Sequence, residues 1–459
     1  MISKYIYSFS RNKIVSFHRQ YSNRNVVRLK ERGMFQDIFP ITSVDEITDL
    51  LNSAPQCVYA GFDPTADSLH VGNLLILINL LHWQRGGHNV IAVIGGATAR
   101  IGDPSGRNTE RDVLSSNFIE KNIKGLHANI ADIFTNHKKY FWRDFKALPD
   151  YKILNNLSWY NRLSAIELIG EAGRYLRMGT LLSRSSVETR LATSAGMSFT
   201  EFSYQLFQSY DWLHLYRKYG CRFQIGGSDQ MGNIMSGHDL IGKMYKKLVY
   251  GLTVPLITTE IGDKFGKSAG NAVWLTPEKT SPFTFYQFWI RTSDSSAEQY
   301  LKLFTFESIG SISDLVRQHN EKPELRLLQK RLAEQLTLLV HGEEGLRQAQ
   351  INTKVLYEGS VNSLAQMKVE EIAKVFEGAC VVSMMVEPGQ TILDMAMKAG
   401  CFPTSADAVR IIAAGGFYIN QNRTTNPSEV LNPEVHRLSN NVSLARVGKR
   451  NYYIIQWLL

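Results

Sequence analysis

The 459-residue chain is poor in cysteine, with four (Cys57, Cys221, Cys380, Cys401) and no Cys-x-x-Cys pair. That spacing supports neither a zinc framework nor a disulfide scaffold and fits ordinary core thiols in a reduced compartment. Long apolar runs are also missing. The longest, "LLILINLL" from Leu74, falls short of the ~18 residues that cross a bilayer, so no membrane span is expected. Acidic residues are absent from positions 1–30, where seven basic ones stand (Lys4, Arg11, Lys13, Arg19, Arg24, Arg28, Lys30). There is no internal repeat and no low-complexity tract.

The missing acid explains most of the formal net charge of +9. Without those seven residues, 44 Lys and Arg face 42 Asp and Glu, a balance of +2. A basic, Ser-containing, acid-free leader has the composition of a mitochondrial presequence, so residues 1–30 are expected to direct import to the matrix. The other reading is a disordered basic arm that touches nucleic acid. The remaining excess sits in residues 391–459, where seven Lys and Arg face Asp394, Asp407, Glu429 and Glu434.

Length predicts two or three domains, and 44% hydrophobic with 11% aromatic residues is enough to fill their cores. "CVYAGF" and "VIAVIGG" are short, continuous apolar runs, the pattern of strands covered on both faces. The helical stretch from His70 to Arg85 joins them into a βαβ unit, which predicts an α/β fold with a doubly wound, Rossmann-like parallel sheet over 31–275. "RFQIGG" (222–227) supplies a later strand, and residues such as "FSYQLFQSYDWLHLY" between them read as a helical insertion. Residues 276–375 read as an α-helical domain, 376–390 as a linker and 391–459 as a small α+β domain.

The chemistry concentrates in three stretches. In "YAGFDPTADSLHVGN" a strand breaks at Asp63-Pro64-Thr65 and restarts as a helix headed by His70 and Asn73. The N-terminus of such a helix favours anions, and Thr65 and His70 can donate to a polyphosphate passing over it. "DKFGKS" puts Lys264 and Lys267 around a glycine on a late loop, not in the phosphate-binding loop that follows a first strand. "GGATARIGDPSGRNTER" combines glycines that permit close approach with Arg107 and Arg111.

Together these motifs, with "FTEFSYQLFQSYDW", "QIGGSDQMGNI" and "SPFTFYQFWI", resemble the class I aminoacyl-tRNA synthetases, and within them the bacterial-type tyrosyl enzymes. The similarity runs from about Val58 to the C-terminus, and with the leader it implies a mitochondrial form. It implies that Tyr59 and Asp211 bind the phenol hydroxyl of tyrosine. Asp103, Tyr204 and Gln208 would hold its ammonium, with Gln230 nearby. Thr65, His70, Lys264 and Lys267 would grip the ATP phosphates, with Ser268 also at the ATP site, helped in the transition state by Arg107 and Arg111. Asp63, Gly72, Asn73, Gly227 and Asp229 would face the adenosine or the adenylate. Helical spacing agrees in one respect: Tyr204, Gln208 and Asp211 share a face. Three residues depart from the family's usual pattern: Asn73 replaces a second histidine, Arg107 a lysine, and Met231 an aromatic.

The basic tail resembles an RNA-binding module found in a ribosomal small-subunit protein. "MAMKAGCFPTSADAVRIIAAGGFYINQNR" carries its pattern, which implies RNA contacts from Lys398, Ser405, Arg410 and Arg423. The alternative is a plain capping domain. The resemblance further implies ATP with Mg2+ as a substrate complex, no metal held by the protein, tRNA(Tyr) and tyrosine as partners, and a homodimer with one tRNA lying across both subunits. A non-catalytic RNA-binding relative is the rival reading, and a tryptophanyl enzyme is disfavoured by Tyr59 and Asp211.

Overall fold

The computed structural model describes residues 24–107, 109–257, 267–268, 271–358, 364–365, 367–376, 379–448 and 451–458. The chain divides into two compact units, 1–342 and 343–459. The boundary falls in the long helix Leu327–Glu358, at Gly342, whose φ of 69° and ψ of −171° only glycine adopts readily.

The first unit is built on the expected α/β sheet. Its strands are β1 (Asp37–Phe39), β2 (Cys57–Phe62), β3 (Asn89–Ile94), β4 (Tyr151–Asn155), β5 (Phe223–Gly227) and β6 (Tyr250–Val254), in the order β1-β6-β5-β2-β3-β4. All neighbours are parallel except β1, which closes one edge antiparallel to β6. Of these strands the sequence patterns had marked β2, β3 and β5. β4 and β6 add further parallel neighbours, and β6 is buried at every position.

The helices of this unit include α1 (Val44–Ser53), α2 (Val71–Arg85), α3 (Ser116–Asn136), α4 (Phe199–Tyr219) and α5 (Met231–Tyr245), of which α2 to α5 carry site residues or the groups that hold them. α2 is apolar almost all round and buries eleven of its fifteen residues, as a helix wedged against a sheet must. The segment between β4 and α4 is a run of short helices, the helical insertion that the sequence predicts. α6 (Asp294–Phe304) comes later within the same unit.

The N-terminal edge differs from a leader covering residues 1–30. Residues 1–23 lie outside the described residues, but Val26–Arg32 form a 3-10 helix that buries Val26, Val27, Leu29 and Arg32. The Arg32 guanidinium donates to the carbonyls of Lys302 (2.7 Å), Thr305 (2.7 Å), Glu307 (2.5 Å) and Leu301 (3.3 Å). It therefore satisfies backbone acceptors that the end of α6 leaves open. Hydrophobic burial and this cap make residues 26–32 part of the fold.

A short strand pair, β7 (Lys267–Ser268) and β8 (Asn271–Ala272), completes the strands described in the first unit. The second unit carries β9 (Cys380–Met385), β10 (Phe417–Ile419), β11 (Asn422–Thr424), β12 (Val442–Val447) and β13 (Asn451–Leu458). The order in its sheet is β11-β10-β12-β13-β9, and the helices Ile392–Lys398 and Ser405–Ala413 share a core with it. The run "CVVSMM", which the sequence left in a linker over 376–390, pairs with β13 as β9. Its β-branched and apolar residues suit a pleated surface.

Candidate active site

The strand order reverses between β2 and β5, and a cavity of about 930 Å³ opens at their C-terminal ends. An open parallel sheet offers its ligand site at that point. Tyr59, Asp63, Thr65, His70, Gly72, Asn73, Asp103, Arg107, Arg111, Tyr204, Gln208, Asp211, Gly227, Asp229 and Gln230 all line it. Lys264 lies outside the described residues. Lys267 and Ser268 are described only in backbone, where they pair with Ala272 and Asn271.

At the floor, α4 presents Asp211. Its Oδ1 accepts from Trp159 Nε1 at 2.9 Å and its Oδ2 from Asn156 Nδ2 at 3.0 Å. Burial pushes this carboxyl up to about 7, against the pull of those hydrogen bonds. The Tyr59 hydroxyl, buried in the same region, has no hydrogen-bond partner among the described residues. Burial and then the charge of Asp211 push its ionisation well above the usual range, so it stands as a neutral donor. A stranded phenol beside a buried carboxylate is costly unless a ligand hydroxyl completes the pair.

Above the floor, Asp63 accepts from Thr98 Oγ1 (2.6 Å) and Tyr204 OH (2.9 Å). Burial raises its carboxyl to about 6. This carboxylate is expected from the family resemblance to face the adenosine, yet both its oxygens are engaged beside Tyr204. Gly95 permits the arrangement, since a Cβ there would stand 1.9 Å from Asp63 Oδ1. Asp103 accepts from Gln230 Nε2 at 2.7 Å and from the Ser105 backbone at 3.0 Å. Asp63, Asp103 and the Tyr204 hydroxyl thus gather acceptors suited to an ammonium group.

At the mouth, His70 and Asn73 head α2 and cap it reciprocally. His70 Nδ1 accepts from Gly72 N at 3.0 Å, and Asn73 Oδ1 accepts from His70 N at 3.1 Å. An amide at 73 thus completes a capping box where a histidine is usual in the family. Arg111 Nε donates to the Asp103 carbonyl at 3.2 Å. Arg107 and Arg111 both line the cavity, and partial burial, then the charge of Arg111, holds the Arg107 guanidinium below its usual range.

Sequence reasoning missed Asn156, Thr98, Trp159 and Asn233, which hold these side chains in place. Asn156 is fully buried and comes directly after β4, a strand the apolar pattern did not reveal. Extending to "YKILNN" the rule that sheets carry ligand residues at their C-terminal ends would have found it.

In the second unit the expected RNA contacts are dispersed among local pairs. Lys398 Nζ lies 2.5 Å from Glu387, and Arg410 lies 2.8 Å from Asp407. Ser405 opens its helix behind the capping Thr404. Arg423 donates to the Gly415 and Ala414 carbonyls at 2.9 and 3.0 Å, at the end of the helix Ser405–Ala413.

Comparison with known proteins matches residues 51–358 to the family described as tRNA synthetases class I (W and Y). The chain belongs to that family. The mitochondrial tyrosine–tRNA ligase of Drosophila melanogaster is 54% identical over 96% of both chains. The human mitochondrial enzyme is 47% identical over 94% of this chain and 91% of its own. A crystal structure of a C-terminally truncated mitochondrial tyrosyl-tRNA synthetase from Aspergillus nidulans superposes with a TM-score of 0.66 at 31% identity, covering 75% of this chain and 97% of that one. For a class I synthetase the cavity is divided usefully: polar recognition groups lie deep, and cations and a helix N-terminus lie at the rim.

Proposed function

We propose that this synthetase activates tyrosine with ATP, releasing pyrophosphate, and transfers the tyrosyl group to the 3′ end of tRNA(Tyr) for mitochondrial translation. The observation that carries the amino-acid choice is the unpartnered Tyr59 hydroxyl beside Asp211. A substrate phenol can accept from Tyr59 and donate to Asp211, satisfying both groups in one step.

The substrate carboxylate attacks the α-phosphate, so no nucleophilic side chain is needed. The protein positions the reactants and stabilises charge on the departing pyrophosphate, which is work for His70, Thr65, Arg107, Arg111 and the lysines of "KFGKS". In this reading magnesium enters as the ATP complex, held through the phosphates.

The chain acts as a homodimer in the same reading. Support comes from apolar side chains exposed on the insertion and the start of α4: Ile166, Ile169, Met178, Leu182, Leu191 and Phe199. The mitochondrial matrix is the proposed location, supported by the basic leader and by the relatives named mitochondrial. The second unit binds tRNA.

Tyrosine-dependent ATP–pyrophosphate exchange, together with charging of tRNA(Tyr), tests the activity. Removal of residues 343–459 is expected to spare exchange and abolish charging. Loss of both reactions would make the second unit a support for the catalytic fold.

A further inference from the structure

The turn that carries the His70 motif is fixed from two sides. From one side comes α3, whose Asn122, Gly125 and Asn129 recur at helical spacing. Asn122 Nδ2 donates to the Pro64 carbonyl at 2.9 Å, and Asn129 Oδ1 accepts from Leu69 N at 2.9 Å. At Gly125 a Cβ would lie 2.0 Å from the Asp67 carbonyl oxygen, so helix and turn are in direct backbone contact. The turn is a rigid reference.

From the other side a single backbone bridge is hung on it. Val71 N donates to the Val273 carbonyl (3.0 Å), Leu275 N to the Leu69 carbonyl (2.8 Å) and Thr276 N to Ser68 Oγ (3.2 Å). This bridge sets Trp274 opposite His70, with ring centroids 6.1 Å apart. Lys279 then closes the arrangement. Its Nζ lies 4.7 Å from the centre of the Trp274 ring and 2.5 Å from Asp67 Oδ1. The segment Val273–Leu275 is also the chain that leaves the "KFGKS" motif.

An ion pair about a third exposed adds little to global stability. What this one does is geometric. We propose that Asp67 and Lys279 are positioning residues for adenylate formation: their ion pair holds the Trp274 indole, and the backbone bridge that carries it, against the His70 turn. Neither Asp67 nor Lys279 lines the cavity. The inference rests on the adenylate-forming reading above.

The test measures ATP–pyrophosphate exchange in the full chain carrying Lys279→Gln, Asp67→Asn, both together, Lys279→Arg, or Lys121→Gln. Each of the first two is expected to lower kcat by roughly 10- to 100-fold, the scale of a small misplacement of catalytic groups. Tyrosine KM should stay within about twofold. The double variant should be about as slow as either single one, because one tie is broken only once. Lys279→Arg keeps both the ion pair and the ring contact and should recover most of the rate. Lys121 pairs with Asp67 at 3.4 Å but is 73% exposed, so Lys121→Gln should leave the rate near normal.

Unchanged kcat in the first two variants, additive losses in the double, or an equal loss in Lys121→Gln would each overturn the proposal. So would a Lys279→Arg chain that folds with an unaltered melting temperature yet is as slow as Lys279→Gln. An unaltered chain with no exchange at all would overturn the adenylate reading and this proposal with it. An active chain whose variants keep its rate overturns this proposal alone.

Discussion

The Asn156 side-chain amide donates to Asp211 Oδ2 at 3.0 Å, and through it two carboxylates of the cavity, Asp211 and Asp63, are joined. The same Nδ2 donates to Thr98 Oγ1 at 3.1 Å, and Thr98 donates to Asp63 Oδ1 at 2.6 Å. Asn156 Oδ1 accepts from the Ala97 backbone at 2.7 Å, which leaves the amide no freedom to flip. The floor and the middle of the pocket form one hydrogen-bonded structure.

That network predicts a pH dependence. Asp211 and Asp63 are raised by burial to about 7 and about 6, above the ordinary carboxylate value near 4. The folded chain therefore holds these protons more tightly than the unfolded one. Their stabilising contribution is complete below about pH 4 and is lost as pH rises through 6 to 7. Melting curves of the unliganded chain between pH 5 and 8 should show this decline, and Asp211→Asn should flatten it. Tyrosine binding runs the other way: a phenol donates best to ionised Asp211, so affinity should rise through about pH 7.

Tyr59→Phe removes one partner of the substrate hydroxyl. Tyrosine should lose about 0.5–1.5 kcal/mol, the contribution of an ordinary neutral hydrogen bond, while phenylalanine should lose nothing. The ratio of the two kcat/KM values, measured by pyrophosphate exchange, should fall roughly 2- to 13-fold. An equal effect on both amino acids would make Tyr59 a packing residue only.

His70 both caps α2 and lines the cavity, and two substitutions separate those tasks. Asparagine is a good helix cap, so His70→Asn should keep the melting temperature. It should still slow adenylate formation by roughly 10²- to 10³-fold, the cost of losing one transition-state donor. His70→Ala should show the same slowing and lose about 0.5–2 kcal/mol of stability as well. An active His70→Asn chain would reduce the imidazole to a cap.

The N-terminal edge gives a sharp boundary. Deleting residues 1–23 should leave the melting temperature and exchange activity unchanged while abolishing import into isolated mitochondria. Deleting 1–32 removes three buried apolar side chains and the Arg32 cap, and should leave an insoluble or inactive chain. Arg32→Met alone should cost at least about 1–3 kcal/mol, because buried carbonyls at the end of α6 lose their donor. Denaturant titration measures this directly.

The α/β class, the helical insertion and the family were all legible in the sequence. They rest on local patterns: continuous apolar runs for strands buried on both faces, helical spacing, and motifs whose residues act close to one another in the chain. Tyr59, Asp211 and His70 stood among the candidate site residues for the same reason, since each sits inside such a motif. Contacts between residues far apart in sequence were settled only by the assembled fold. Asn156 meets Asp211 across 55 positions and Arg32 reaches Thr305 across 273. Lys279 closes on Asp67 at 2.5 Å. Burial also set the protonation of Asp63 and Asp211, and packing placed the Arg423 guanidinium on the carbonyls of a helix end. No local pattern encodes these outcomes, since each depends on which surfaces the packed sheet and helices bring within a few ångströms of each other.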